Sequence, residues 1–159
     1  MTLYREFYEE HRHKLFNYLM RMTGDYDLAR DIMQESFTRY LEHYRDRPQS
    51  VSLLYTIARN ALLDNLRRRE RTIEFNEDAE SQSSNDQERM LLVRDEYRRV
   101  ILAMRHLEET ERDTLALVIS SRLSYKEIAS ITGMSEANVK VKTHRARVKL
   151  KEILYEGGQ

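Results

Sequence analysis

Apolar residues recur every three to four positions through most of this chain, the spacing of amphipathic helices rather than of strands. Leu3 and Phe7, then Leu15, Tyr18, Leu19 and Met22, predict a first helix that Thr23-Gly24-Asp25 breaks. Asp25 or Asp27 can cap the next, whose apolar face is Leu28, Ile32, Ser36, Phe37, Tyr40 and Leu41. Arg45 to Ser50 reads as a loop, since Pro48 disfavours helix in the residue before it and lacks an N–H donor. From about Val51, Leu54, Ile57, Ala58, Ala61, Leu62 and Asn65 share one face of a third helix, which ends near Arg71 in a basic cluster suited to a helix C-terminus.

The same periodicity resumes with Met90, Leu91, Val93, Tyr97, Val100, Ile101 and Met104. Thr110 is a candidate cap for a helix carrying Leu115, Ala116, Val118 and Ile119. Ser124 with Glu127 three residues later forms a capping box for a short helix that stops at Gly133. Ser135 then opens a last, basic helix running to about Leu154. Between the two halves, residues 72–89 are rich in Ser, Asn, Asp and Gln and poor in apolar residues, so they read as a flexible acidic linker. The expected architecture is all-α: two small helical domains, 1–71 and 90–159, the second a four-helix domain with a helix-turn-helix.

Composition agrees, with only four Gly and one Pro in 159 residues. Absent cysteine excludes a disulfide framework or a cysteine zinc site. His11 and His13 point to different helix faces and find no third ligand, so no cofactor or metal is expected. No apolar run approaches the roughly 20 residues of a membrane span. The charged N-terminus lacks the apolar core of a signal peptide, so a cytoplasmic protein without membrane insertion is expected.

A formal net charge of zero argues at first against a nucleic-acid partner, but the distribution says otherwise. Six acids (Glu74, Glu77, Asp78, Glu80, Asp86, Glu88) and no base occupy Thr72–Glu88. Six bases (Lys140, Lys142, Arg145, Arg147, Lys149, Lys151) and no acid occupy Val139–Lys151. Arg67, Arg68, Arg69 and Arg71 form a second basic patch. The turn at Gly133, the small Ala129 where helices cross, and an acid-free basic helix after Val139 together indicate a DNA-docking helix-turn-helix. Lys140 and His144 project toward base edges, whereas Lys142, Arg145 and Arg147 suit phosphates.

Tyr125-Lys126-Glu127-Ile128-Ala129 and Val139-Lys140 through His144-Arg145-Ala146-Arg147 resemble region 4 of the extracytoplasmic-function sigma factors of bacterial RNA polymerase. Asp27 through Phe37 resembles region 2.2 of that family, and Leu54 through Arg69 its regions 2.3 and 2.4. The resemblance covers nearly the whole chain in the family's order, with counterparts of regions 1.1 and 3 absent as in compact members. It implies core polymerase binding through Gln34 and Glu35 with Asp31, and to a lesser degree Arg30, which would otherwise read as a solvated helix face. It implies −10 recognition by Asn60, in a pocket with the Arg45–Ser50 loop for a flipped base, and by Arg59, Arg67 and Arg68. It assigns the −35 element to Lys140, Val141, Lys142, His144, Arg145 and Arg147. The family often has Trp at Leu53 and Ser at Val141, which removes a stacking platform and a hydrogen-bonding group. The resemblance also implies an anti-sigma partner and no catalysis by the chain itself. The alternative is a one-component helix-turn-helix regulator, which would need a ligand pocket or dimer face in the first half. No phosphate loop, nucleophile triad or metal cluster suggests an enzyme.

Overall fold

The computed structural model describes residues 2–75 and 94–157, which form seven helices and no strand among the described residues. They are α1 (Thr2–Thr23), α2 (Tyr26–Tyr44), α3 (Val51–Phe75), α4 (Asp95–Met104), α5 (Glu109–Ser121), α6 (Tyr125–Thr132) and α7 (Glu136–Gly157). The all-α expectation holds. Most of the acidic linker, and the apolar positions Met90, Leu91 and Val93, lie outside the described residues. Thr72 belongs to α3, which continues four residues past Arg71 to Phe75.

Local chemistry explains the element ends. Gly24 closes α1 in the left-handed region (φ 64°), its N–H donating to Met20 O at 2.8 Å. Asp25 caps α2 by accepting from Leu28 N at 3.1 Å. Ser50 does the same for α3, accepting from Leu53 N at 3.2 Å, and its own N–H donates to the Tyr40 hydroxyl at 2.9 Å. That bond and Gln49 Nε2 donating to Leu3 O tie down the Pro48 loop. Three expectations fail, one of them Ile119, expected on one face with Leu115 and Ala116 but 41% exposed. Leu3, on the first helix's apolar stripe, is 71% exposed, although its turn is held by Tyr4 donating to Phe37 O and Gln49 donating to Leu3 O. Thr110 does not cap α5: Glu108 takes the extended N-cap position without a side-chain cap, and Thr110 lies inside the first turn, bonding to Glu108 Oε1 at 3.3 Å.

Helices α1, α2 and α3 pack on one another around Leu15, Leu19, Ile32, Phe37, Leu54 and Leu62, while α5, α6 and α7 surround Leu115, Ile128 and Val139. These are not separate cores. Helix α1 lies along α5 and also touches α4, and α6 docks against α3, so buried apolar side chains run without interruption from Phe7 to Ala146. Burial at this seam supplies area-proportional, direction-free stabilisation. Polar bonds fix its register.

Candidate nucleic-acid interface

The helix-turn-helix is assembled as its residue spacing requires. Ser124 accepts from Glu127 N at 3.1 Å, and the Glu127 carboxylate accepts from Ser124 N at 3.2 Å, completing the capping box. Gly133 (φ 77°) makes the left-handed turn and donates to Ala129 O at 2.9 Å. Ser135 caps α7 through Asn138 N at 3.1 Å. Ile128 and Val139 are fully buried and Ile131 nearly so, with Met134 half-buried against them. This rigid corner presents α7 with Val139, Thr143 and Ala146 inward and Lys140, Val141, His144, Arg145 and Arg147 outward. Lys142 is intermediate, at the edge of that face.

One lysine of the basic helix does a different job. Lys149 Nζ lies 2.9 Å from Glu111 Oε1, and Glu111 is only 3% exposed on α5. This pair ties the basic helix to the helix behind it. The sequence offers no signal for it, because the partners stand 38 residues apart.

The Glu127 carboxylate has a further partner across the seam, since Ser52 Oγ donates to its second oxygen at 3.0 Å. The Ser124 backbone N–H, then the Ser124 and Ser52 hydroxyls, hold this carboxyl below its ordinary value of 4.5. A lowered folded-state value means the contribution is complete above that ordinary value and is lost as pH falls through the folded one. Ser124→Ala is therefore expected to cost about 1 kcal/mol near neutral pH, the usual value of an N-cap. The difference from wild type should shrink in urea titrations repeated at progressively lower pH below about 4; a pH-independent difference would assign the loss to the hydroxyl alone.

In the first half, Asp31, Gln34 and Glu35 lie together on the exposed outer face of α2. Glu35 accepts from Arg39 Nη2 at 2.6 Å, and Arg30 lies 3.6 Å from Asp27 and 4.0 Å from Asp31. On α3, Asn60, Arg67 and Arg68 are exposed. Asn60 stands roughly 15 Å along the helix from the end of the Arg45–Ser50 loop. Arg67 is 4.0 Å from Asp64, and Arg69 pairs with Asp25 at 3.2 Å. Leu53 is half-buried against the core as an apolar filler.

Arg59 is placed differently. Its Nε donates to Asp113 Oδ2 at 2.7 Å, and Asp113 Oδ1 accepts from the fully buried Tyr18 hydroxyl at 2.7 Å. Burial, then the Asp113 carboxylate, raises the Tyr18 phenol well above its ordinary value, so it stays a donor. Around this knot Arg21 Nη1 donates to Ser120 Oγ at 2.7 Å and the Tyr97 hydroxyl to Asn17 Oδ1 at 2.9 Å. Arg105 Nη2 donates to Gly24 O at 3.3 Å; a Cβ on Gly24 would come within 2.5 Å of that nitrogen. The two halves are thus closed on each other, with Arg59 turned into the seam while the outer faces of α2 and α7 remain exposed. No histidine, cysteine or carboxylate cluster that could hold a metal occurs among the described residues. None of the described helices is long and apolar enough to cross a membrane.

Family models match two stretches in order: sigma-70 region 2 over residues 7–72 and sigma-70 region 4 over residues 97–150. The chain is 30% identical over 155 residues to the ECF RNA polymerase sigma factor SigM of Bacillus subtilis, covering 96% of this chain and 95% of that protein. It is 32% identical over 161 residues to the sigma factor YlaC of the same organism, covering 94% and 88%. A solved structure, the sigma factor RpoE in complex with the anti-sigma factor NepR from Bartonella quintana, shares the fold with a TM-score of 0.79, covers 98% of both chains and is 19% identical. Matched through both regions and nearly end to end, this chain belongs to the extracytoplasmic-function sigma factors of the sigma-70 family, the proteins that direct RNA polymerase to begin transcription at promoters.

Proposed function

We propose that the closed chain is a resting form of a cytoplasmic promoter-specificity subunit, and that it works only after its halves part. Residues 1–71 act as region 2, 72–89 as the linker that permits parting, and 90–159 as region 4. Asp31, Gln34 and Glu35 on α2 engage core polymerase. Arg59, Asn60, Arg67 and Arg68 on α3 meet the −10 element, and Lys140, Val141, Lys142, His144, Arg145 and Arg147 on α7 the −35 element. The chain performs no covalent chemistry. An anti-sigma partner holds it between rounds of use, in keeping with the solved relative, which shares this fold in such a complex.

The observation that carries the reading is the Arg59–Asp113 bond, which ties a −10 residue to the −35 half. The names of the two elements place them about 25 base pairs apart, roughly 85 Å of duplex at 3.4 Å per pair. A closed chain of this length is only about 40 Å across. It cannot touch both elements at once.

With core polymerase, the protein is expected to start transcripts at a restricted promoter set. Tight DNA binding without core, and no association with core, would sink the reading in favour of a one-component regulator. Replacing both Lys140 and His144 by Ala should lower discrimination at the −35 element, where each good base contact contributes about 1–3 kcal/mol. An equal loss on every sequence would mark both as phosphate contacts.

A further inference from the structure

The outward line of α7 is apolar at its centre. With 100° per residue, the buried Val139, Thr143 and Ala146 mark the inward side. The diametrically opposite line passes through Ala137, Val141 and Val148, with His144 close beside it. Val141 and Val148 are 44% and 42% exposed. Lys140 and Arg147 flank this line on one side and Arg145 on the other, all exposed. Single exposed valines are ordinary on protein surfaces. Here, however, a β-branched residue of lower helix propensity than its Lys and Arg neighbours occupies the most outward point of the first turns. That is where a helix in the major groove meets base edges.

We infer that Val141 is a specificity residue that reads thymine through its C5-methyl group in the −35 element, with Ala137 one turn before it giving the close approach. The inference rests on α7 being the −35 reader. Valine has neither donor nor acceptor, and the thymine methyl is the one apolar group that the major groove displays. The flanking Lys140, Arg145 and Arg147 supply the charge that seats this stripe between the two phosphate rows. Val141 therefore adds an apolar contribution to discrimination beside the polar base-edge contacts of Lys140 and His144, while Arg145 and Arg147 add mainly affinity.

The test uses holoenzyme reconstituted from the full chain and core polymerase, on a promoter fixed by transcript start-site mapping. Each thymine of the −35 element, on either strand, is replaced in turn by uracil, which lacks only the methyl. One replacement should weaken open-complex formation about threefold to fivefold, the worth of one methyl removed from water. In Val141→Ala that same replacement should have no further effect. In Val148→Ala, equally exposed but about 10 Å farther along the helix, the uracil penalty should persist. The inference is overturned by a −35 element with no A·T pair, by uracil without effect on wild type, or by a penalty unchanged in Val141→Ala. A penalty lost in Val148→Ala and kept in Val141→Ala would overturn it as well. Scrambling the whole −35 element separates the two readings: if that leaves initiation unchanged, α7 is not the −35 reader at all.

Discussion

Asp113→Ala is expected to open the molecule. The side chain is 10% exposed and binds Arg59 Nε and the Tyr18 hydroxyl, each at 2.7 Å. Its loss leaves a guanidinium and a fully buried phenol without their acceptor. Removing one partner of a buried pair typically costs about 3–5 kcal/mol; because Arg59 retains some access to solvent, about 2–4 kcal/mol is expected here. Small-angle scattering should show the radius of gyration rising above the roughly 15 Å of a closed chain of this size. Association with core polymerase should quicken, since the halves no longer need to be pulled apart. Arg59→Ala provides the contrast. It frees the same seam but also removes the −10 contact proposed for Arg59, so it should open the chain and quicken association with core without raising promoter-dependent initiation. Unchanged scattering in both variants would show that the apolar part of the seam suffices to hold it shut.

The second large effect concerns a residue that sequence alone treats as one base among six. Lys149→Ala should destabilise the protein by about 1–3 kcal/mol, less than the full cost of breaking a buried pair because the lysine is half exposed. It strands Glu111, whose Oε2 already has no hydrogen-bond partner among the described residues. For a chain of this size that corresponds to a drop in Tm of about 3–10 °C. Lys151→Ala, also on α7 and exposed, should change Tm by less than about 1–2 °C. If the two variants melt alike, the Glu111–Lys149 pair contributes nothing in solution. With α7 as the proposed −35 face, weak promoter binding by Lys149→Ala should be restored at lower temperature. That behaviour would separate it from Lys140→Ala.

Local signals explain what could be read without coordinates. Gly24, Asp25, Ser124 with Glu127, Gly133 and Ser135 each act within four residues of themselves, and each is found capping or turning as its chemistry dictates. The helical faces follow from the same short periodicity, and with them the outward side of α7. Thr110 misled because Thr and Glu were both available near the start of α5 and the chain turned helical two residues early. Leu3 misled because a stripe says which side of a helix faces inward on average, not which of its positions are covered. The seam was illegible for a deeper reason. Tyr18 and Asp113 are 95 residues apart, Arg59 and Asp113 are 54, and neither pairing leaves a trace in local spacing. Arg59 looked like one more base beside Asn60. Only the fold distinguishes them.

The pairing of α1 with α5 also has a consequence for biosynthesis. At 5–20 residues per second, a ribosome needs about 5–20 s to travel from Tyr18 to Asp113. In the later part of that interval, once α3 has been made, the first half can fold on its own helices while Tyr18 and Arg59 still lack their acceptor. A nascent chain therefore passes through an open form before it can ever close, and whichever binder reaches it first meets an unlatched molecule. Closure is an event of completion, timed by translation.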